Sequence, residues 1–113
     1  MYIDKREIYK EIVISKAQGK RTRKFENMCY LIAKGIANKF SYRTSDDKHD
    51  AIQNAMLDML RFWYNFDPER YSDAFAYFSE IAKRAIVKSY KRMYIPTGSD
   101  GEITYSFDNL LNL

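Results

Sequence analysis

A chain of 113 residues with a formal net charge of +4 is the size of one domain rather than two. Nearly half of its residues are apolar and many are aromatic, which is enough for a substantial core. A single cysteine excludes an internal disulfide and a multi-thiolate zinc site, and no apolar run approaches the ~20 residues that span a bilayer. No charged-then-apolar leader precedes a small-residue cleavage site, so the expected location is cytoplasmic.

The apolar spacing is helical almost throughout, and the expected fold is all-α. Asp4 can cap a first helix with Ile8, Ile12 and Val13 on one face, and Gly19 supplies a stop. Thr22 can cap a second, where Phe25, Met28, Cys29, Ile32, Ile36 and Phe40 recur at three- and four-residue steps. Cys29 lies in that apolar row and reads as a buried thiol. After the polar stretch from Ser41 to Ser45, Asp46 or Asp47 can cap a third helix. Its stripe is Ile52, Ala55, Met56, Met59, Leu60 and Trp63. Pro68 ends it, because the residue before a proline is steered away from helical angles. Ser72 or Asp73 opens a fourth helix running to about Met93, with Phe75, Phe78, Ala82, Ala85 and Ile86 as inward candidates. Residues 1–95 are thus expected to form one helical domain. Pro96 to Gly101 reads as a linker, followed by a short hydrophobic tail that ends the segment 96–113.

Charge is unevenly placed. On the fourth helix Lys88 follows Arg84 by four residues, and Lys91 and Arg92 follow Lys88 by three and four, forming one stripe with Lys83 at its edge. Such a stripe can follow a phosphate backbone, or it can be a solvated face whose cations suit the helix C-terminus. The aromatics upstream, Phe75, Tyr77 and Phe78, together with Arg70, favour nucleic acid: rings stack on bases while cations hold phosphates, although one or two of these rings must belong to the core. A second basic cluster, Lys20, Arg21, Arg23 and Lys24, reads chiefly as a solvated loop and helix start.

No catalytic constellation is visible, and neither a cofactor nor a metal is expected. His49, the single histidine, lies among acids near a helix start and reads as a surface residue. Asp46, Asp47 and Asp50 complement a helix dipole there. The chain has no glycine-rich phosphate loop and no nucleophile motif. Binding is the working function.

Asp50-Ala51-Ile52-Gln53, followed by Leu60, Phe66 and Asp67-Pro68-Glu69-Arg70, resembles the second conserved region of bacterial RNA polymerase sigma factors. There the corresponding stretch begins Asp-Leu-Ile-Gln-Glu-Gly and reaches Phe-Asp-Pro-Glu-Arg without a gap. From Arg70 the spacing stays in step through Tyr77 to Ala85-Ile86. The resemblance covers roughly residues 25–92.

Carried over by position, the resemblance implies that Asp50, Gln53, Asn54 and Leu57 bind the clamp coiled coil of the polymerase's largest subunit. It implies that Tyr77 stacks on a promoter base, and that Lys83, Arg84 and Lys88 meet the upstream duplex and the non-template strand. Two departures stand out: the family's tandem tryptophans are Glu80 and Ile81 here, and the phenylalanine before its Ser-Thr-Tyr is Ala74. Weak strand separation, or help from another protein, is the corresponding expectation.

A sigma region 2 without a tryptophan pair, followed directly by a short tail, is similar to the divergent late-transcription sigma factors of T-even-type bacteriophages. These read only the AT-rich element just upstream of the start. Their tail binds the DNA sliding clamp, and Ser106 to Leu111 resembles that motif, which points to Phe107, Asp108, Leu110 and Leu111. The alternative occupant of those side chains is the protein's own core. The implied partners are RNA polymerase core in a bacterial host's cytoplasm and promoter DNA, with the sliding clamp and a late-transcription coactivator as further candidates and no membrane. The competing functions are a polymerase- or clamp-binding regulator that does not read DNA, and a general DNA-binding helical module. The modest net charge argues against the last.

Overall fold

Four side chains start the four helices. A computed structural model describes residues 3–95. In it Asp4 accepts from the Arg6 N–H at 2.8 Å, Thr22 from Phe25 at 3.0 Å, Thr44 from Asp47 at 3.1 Å and Asp73 from Ala76 at 2.9 Å. Each satisfies one of the amide groups that a helix N-terminus leaves without a partner. The helices are α1 (Lys5–Gln18), α2 (Arg23–Ala37), α3 (Ser45–Phe62) and α4 (Ala74–Tyr94), with one 3-10 turn (Trp63–Asn65) closing α3. No strand occurs among the described residues. The expected all-α fold is the observed one.

Two details of the sequence reading are corrected. Thr44, not Asp46 or Asp47, caps α3: its backbone is extended (φ −137°, ψ 160°) and its hydroxyl reaches back to the Asp47 amide. Asp46 and Asp47 lie in the first helical turn instead, where their charge complements the dipole. Val13 does not face inward. Ile8, Glu11, Ile12 and Ser15 form the buried row of α1, at three- and four-residue steps, and Val13 lies about 100° round the helix from Ile12 and is exposed. The two polar members of that row are satisfied at the next helix start. The Thr22 N–H donates to Ser15 Oγ at 3.1 Å, and the Thr22 hydroxyl donates to Glu11 Oε1 at 2.8 Å.

Helix α4 packs against all three other helices, most extensively α3. At the centre Phe78 meets Phe25 with ring centroids 5.1 Å apart and Phe66 at 6.0 Å, and all three rings are fully buried. A side chain of that kind contributes roughly 1.5–3 kcal/mol when it leaves water. The apolar row of α2 is buried as read, including Phe40 beyond the helix end. Gly19 takes φ 73° after α1, a left-handed conformation that needs no Cβ.

The break at Asp67-Pro68 leaves carbonyls without helical partners, and α1 supplies the donors. Lys16 Nζ donates to the Tyr64 and Phe66 carbonyls at 2.7 Å each and lies 4.5 Å from the Tyr64 ring centroid. The Tyr9 hydroxyl donates to the Pro68 carbonyl at 2.8 Å. The segment between α3 and α4 is therefore held in a defined path.

Candidate nucleic-acid and polymerase interface

That path creates a cleft of about 700 Å³ between the end of α3, the connecting segment and the first turns of α4. Phe62, Arg70, Tyr71, Tyr77, Ile81 and Arg84 contribute walls to it. Tyr77 is half-buried: its ring stands edge-on to Phe66 and Phe78, with centroids 5.1 and 5.0 Å away, and its hydroxyl lies 3.5 Å from the Phe62 carbonyl. Burial, and then the neighbouring Tyr71 phenol, push its pKa above the ordinary tyrosine value, so it remains a neutral ring in the physiological range.

Of the three aromatics read as base-contacting, only Tyr77 lines this cleft. Phe78 is a core residue, fully buried between Phe25 and Phe66, and is withdrawn from the DNA-contacting set. Phe75 is half-buried against the core on another side of α4, in a groove with Ile3 and Leu31, with Lys5 Nζ 5.6 Å from its ring centroid. Consecutive helical residues point about 100° apart, so the three rings cannot share a face.

Arg84 and Glu80, both exposed, form an i, i+4 pair with Nε 3.1 Å from Oε1. In water such a pair contributes about 0.2–1 kcal/mol, so the guanidinium can exchange its carboxylate for a phosphate at little cost. Lys88 and Arg92 continue along α4 as exposed cations, with Lys83 and Lys91 half-buried beside them. Lys88 and Arg92 also line a small groove between α3 and α4, of about 160 Å³, whose α3 wall includes Leu57, Asp58 and Arg61. Arg61 was not singled out from the sequence. Its position one turn after Leu57 carries no periodic signal, and only the packing of α3 on α4 brings it to the stripe.

On α3, Asp50, Gln53 and Leu57 fall at i, i+3 and i+7 and are all exposed. Leu57 is 60% exposed and therefore open to solvent on the same face as Asp50 and Gln53. Asn54 differs. It is half-buried, and its amide donates to the Ser89 hydroxyl of α4 at 2.9 Å. The second basic cluster divides: Arg21 bonds Glu26 at 3.0 Å and Lys24 bonds Glu7 at 2.8 Å, whereas Lys20 and Arg23 are exposed. No metal-binding group of side chains occurs among the described residues, and none of their helices is long and apolar enough to cross a membrane. Phe107, Asp108, Leu110 and Leu111 lie outside the described residues.

The sigma-70 region 2 family model matches residues 29–93, from within α2 almost to the end of α4. The chain belongs to the sigma-70 region 2 family. Comparisons with curated proteins and with solved structures returned no match. The sigma region 2 match takes in the α3 face, the cleft and the basic stripe, and leaves α1 outside it. Sigma region 2 membership carries RNA polymerase binding and promoter recognition during transcription initiation as the coarse function. Within this sigma region 2 domain the residues nominated for the polymerase lie on α3 and those nominated for DNA on the adjoining α4, with Arg70 in the segment just before it and the Asn54–Ser89 bond between the two helices.

Proposed function

We propose that the protein is a sigma factor that binds RNA polymerase core through Asp50, Gln53 and Leu57 and directs it to AT-rich promoter elements just upstream of the start. The observation that carries this reading is the cleft holding Tyr77 beside Arg84 and the exposed cations of α4, one helix away from a face that exposes a leucine. Unpaired bases stack on such rings, and cations beside them hold the strand through salt-sensitive phosphate contacts. The protein has no catalytic activity of its own in this reading, because the polymerase performs the chemistry.

The genes served are late genes of a bacteriophage, and Phe107, Asp108, Leu110 and Leu111 bind the DNA sliding clamp. Sequence resemblance alone supports this part. Its physical sense is that a clamp threaded on DNA raises the effective concentration of polymerase at the promoter and replaces a second promoter contact. An apolar turn carrying Phe107, Leu110 and Leu111 suits a groove on such a partner.

The test is size-exclusion co-elution with bacterial RNA polymerase core, with and without equimolar primary sigma factor, followed by transcription from AT-rich templates. Co-elution that the competitor abolishes, together with promoter-selective transcripts, is the expected result. Absence of co-elution at low salt sinks the reading. Co-elution without promoter selectivity favours a polymerase-binding regulator that does not read DNA. A pull-down by immobilised clamp, lost in Phe107→Ala with Leu110→Ala, tests the tail.

A further inference from the structure

Gly35 lies inside α2 and is exposed, and a Cβ added to it would meet nothing within 4 Å. Glycine weakens a helix interior, and what it leaves here is open space. That space belongs to a groove of about 410 Å³ between α2 and the start of α4. The buried Ile32 and Ile36 form its floor, with Leu31 and the half-buried Phe75 beside them. Its charge is of one sign. Lys39 is exposed at the edge, Lys5 Nζ lies 5.6 Å from the Phe75 ring centroid, and no carboxylate lines the groove among the described residues. An apolar groove with a basic edge fits a segment that is apolar and acidic.

We propose that this groove seats Phe107, Leu110 and Leu111 of the same chain. The segment from residue 96 onward carries three acids, Asp100, Glu102 and Asp108, and neither lysine nor arginine, because all 19 of those lie before it. Phe107, Leu110 and Leu111 stand at i, i+3 and i+4, the spacing with which an amphipathic turn enters a groove. Asp108 beside them meets the basic edge. A second consequence rests on the proposed clamp-binding role of these side chains, whereas the seating itself does not: the groove and the sliding clamp compete for one segment, so the tail is held back until a clamp displaces it.

The chain is long enough to make this contact. Ile95 has extended backbone (φ −111°, ψ 119°), so the chain leaves the helix there, and Pro96 cannot resume it. From Ile95 back to Ser79, which lines the groove, is 16 residues of α4, or about 24 Å at the helical rise. The residues between Ile95 and Phe107 reach roughly 36 Å when extended, which covers that distance with slack. A tethered segment of this length meets the groove at an effective concentration in the millimolar range, far above that of a free partner. A second copy of the chain is the less suitable occupant, since it would bring its own excess of basic residues to Lys39 and Lys5.

The experiment is methyl NMR of the full chain. In wild type, Phe107 ring protons are expected to give NOE cross-peaks to the Ile32 and Ile36 methyls. Phe107→Ala combined with Leu110→Ala should remove them and shift the Leu31, Ile32 and Ile36 methyl signals. Gly35→Leu places a side chain in the groove without a clash and favours the helix, so it should also abolish the cross-peaks while the thermal midpoint stays at or above that of wild type. Absence of the cross-peaks in wild type, with the three methyl signals unmoved by the tail variant, overturns the proposal. Cross-peaks that survive in Gly35→Leu overturn it too, because the tail then lies elsewhere. Cross-peaks seen only between differently labelled copies assign the groove to a second molecule and do the same. Purified sliding clamp tests the competition: Gly35→Leu should bind it several-fold more tightly than wild type, since the free form of the tail is then fully populated. Equal, measurable affinities overturn the competition. A clamp that binds neither protein strikes the proposed clamp role instead, and the methyl spectra still decide the seating.

Discussion

The Asn54 amide donates to the Ser89 hydroxyl at 2.9 Å and ties α3 to α4 where the face nominated for polymerase meets the basic stripe. Ser89 is buried, so its hydroxyl has little access to water as a substitute partner. Asn54→Ala is expected to cost about 1–3 kcal/mol of folding stability, the range for stranding a buried polar group. Urea unfolding should show a lower midpoint with an unchanged slope. A midpoint equal to wild type would deny this bond a structural role.

Core binding should depend on the exposed members of the α3 row rather than on Asn54, whose amide is used internally. Gln53→Ala combined with Leu57→Ala is expected to weaken association with polymerase core by roughly 5- to 30-fold, about 1–2 kcal/mol, with unchanged stability. Competition against the primary sigma factor measures it. Full competitiveness of the double variant would move the polymerase contact to another face.

Tyr77→Ala should impair promoter opening more than core binding. Loss of one stacked base is worth about 1–3 kcal/mol, and permanganate reactivity of unpaired thymines reports the open state. Tyr77→Phe should open promoters nearly as well, because the hydroxyl contact at 3.5 Å is too long to contribute much. Equal loss of core binding and opening in Tyr77→Ala would point to a folding defect instead.

Phe66 is the structural partner of the cleft. It is fully buried and touches the rings of Tyr9, Tyr71, Tyr77 and Phe78. Phe66→Ala is expected to cost about 3–5 kcal/mol, the usual range for deleting a core phenylalanine. Leu57→Ala, at an exposed position, should stay within about 0.5 kcal/mol of wild type. Calorimetry of the two variants checks the contrast.

Alkaline pH should unfold the protein earlier than its net charge alone requires. Burial pushes the Cys29 thiol up to about 12 from an ordinary 9.0. Burial also pushes the Tyr42 phenol, whose hydroxyl has no hydrogen-bond partner among the described residues, up to about 12 from 10.0. Both groups release protons more readily when unfolded, so their stabilising contribution is complete below about pH 9 and falls progressively up to about pH 12. Thermal midpoints measured across that window should decline, less steeply in Cys29→Ala. The native thiol should also resist alkylating reagents at pH 8, since the thiolate is the reactive form. Rapid alkylation of the folded protein would contradict the burial.

The sequence by itself determined the four helices, the rupture at Asp67-Pro68 and the apolar row of α2, because caps, periodicity and proline sterics act within about four residues. The ungapped run from Asp50 to Ile86 was likewise legible as sigma region 2. Tertiary structure decided matters that depend on which helix lies opposite. Phe75, Tyr77 and Phe78 are equally aromatic and within one turn, and only packing against Phe25 and Phe66 makes Phe78 core and leaves Tyr77 at the cleft. Several residues able to cap α3 stand in a row, and the extended backbone at Thr44 chose among them. Asn54 found Ser89 thirty-five positions away, and Phe62, Tyr71 and Tyr77 converged from three segments. Such meetings are set by the shared core, because contacts between distant residues form only once the helices that carry them are packed together.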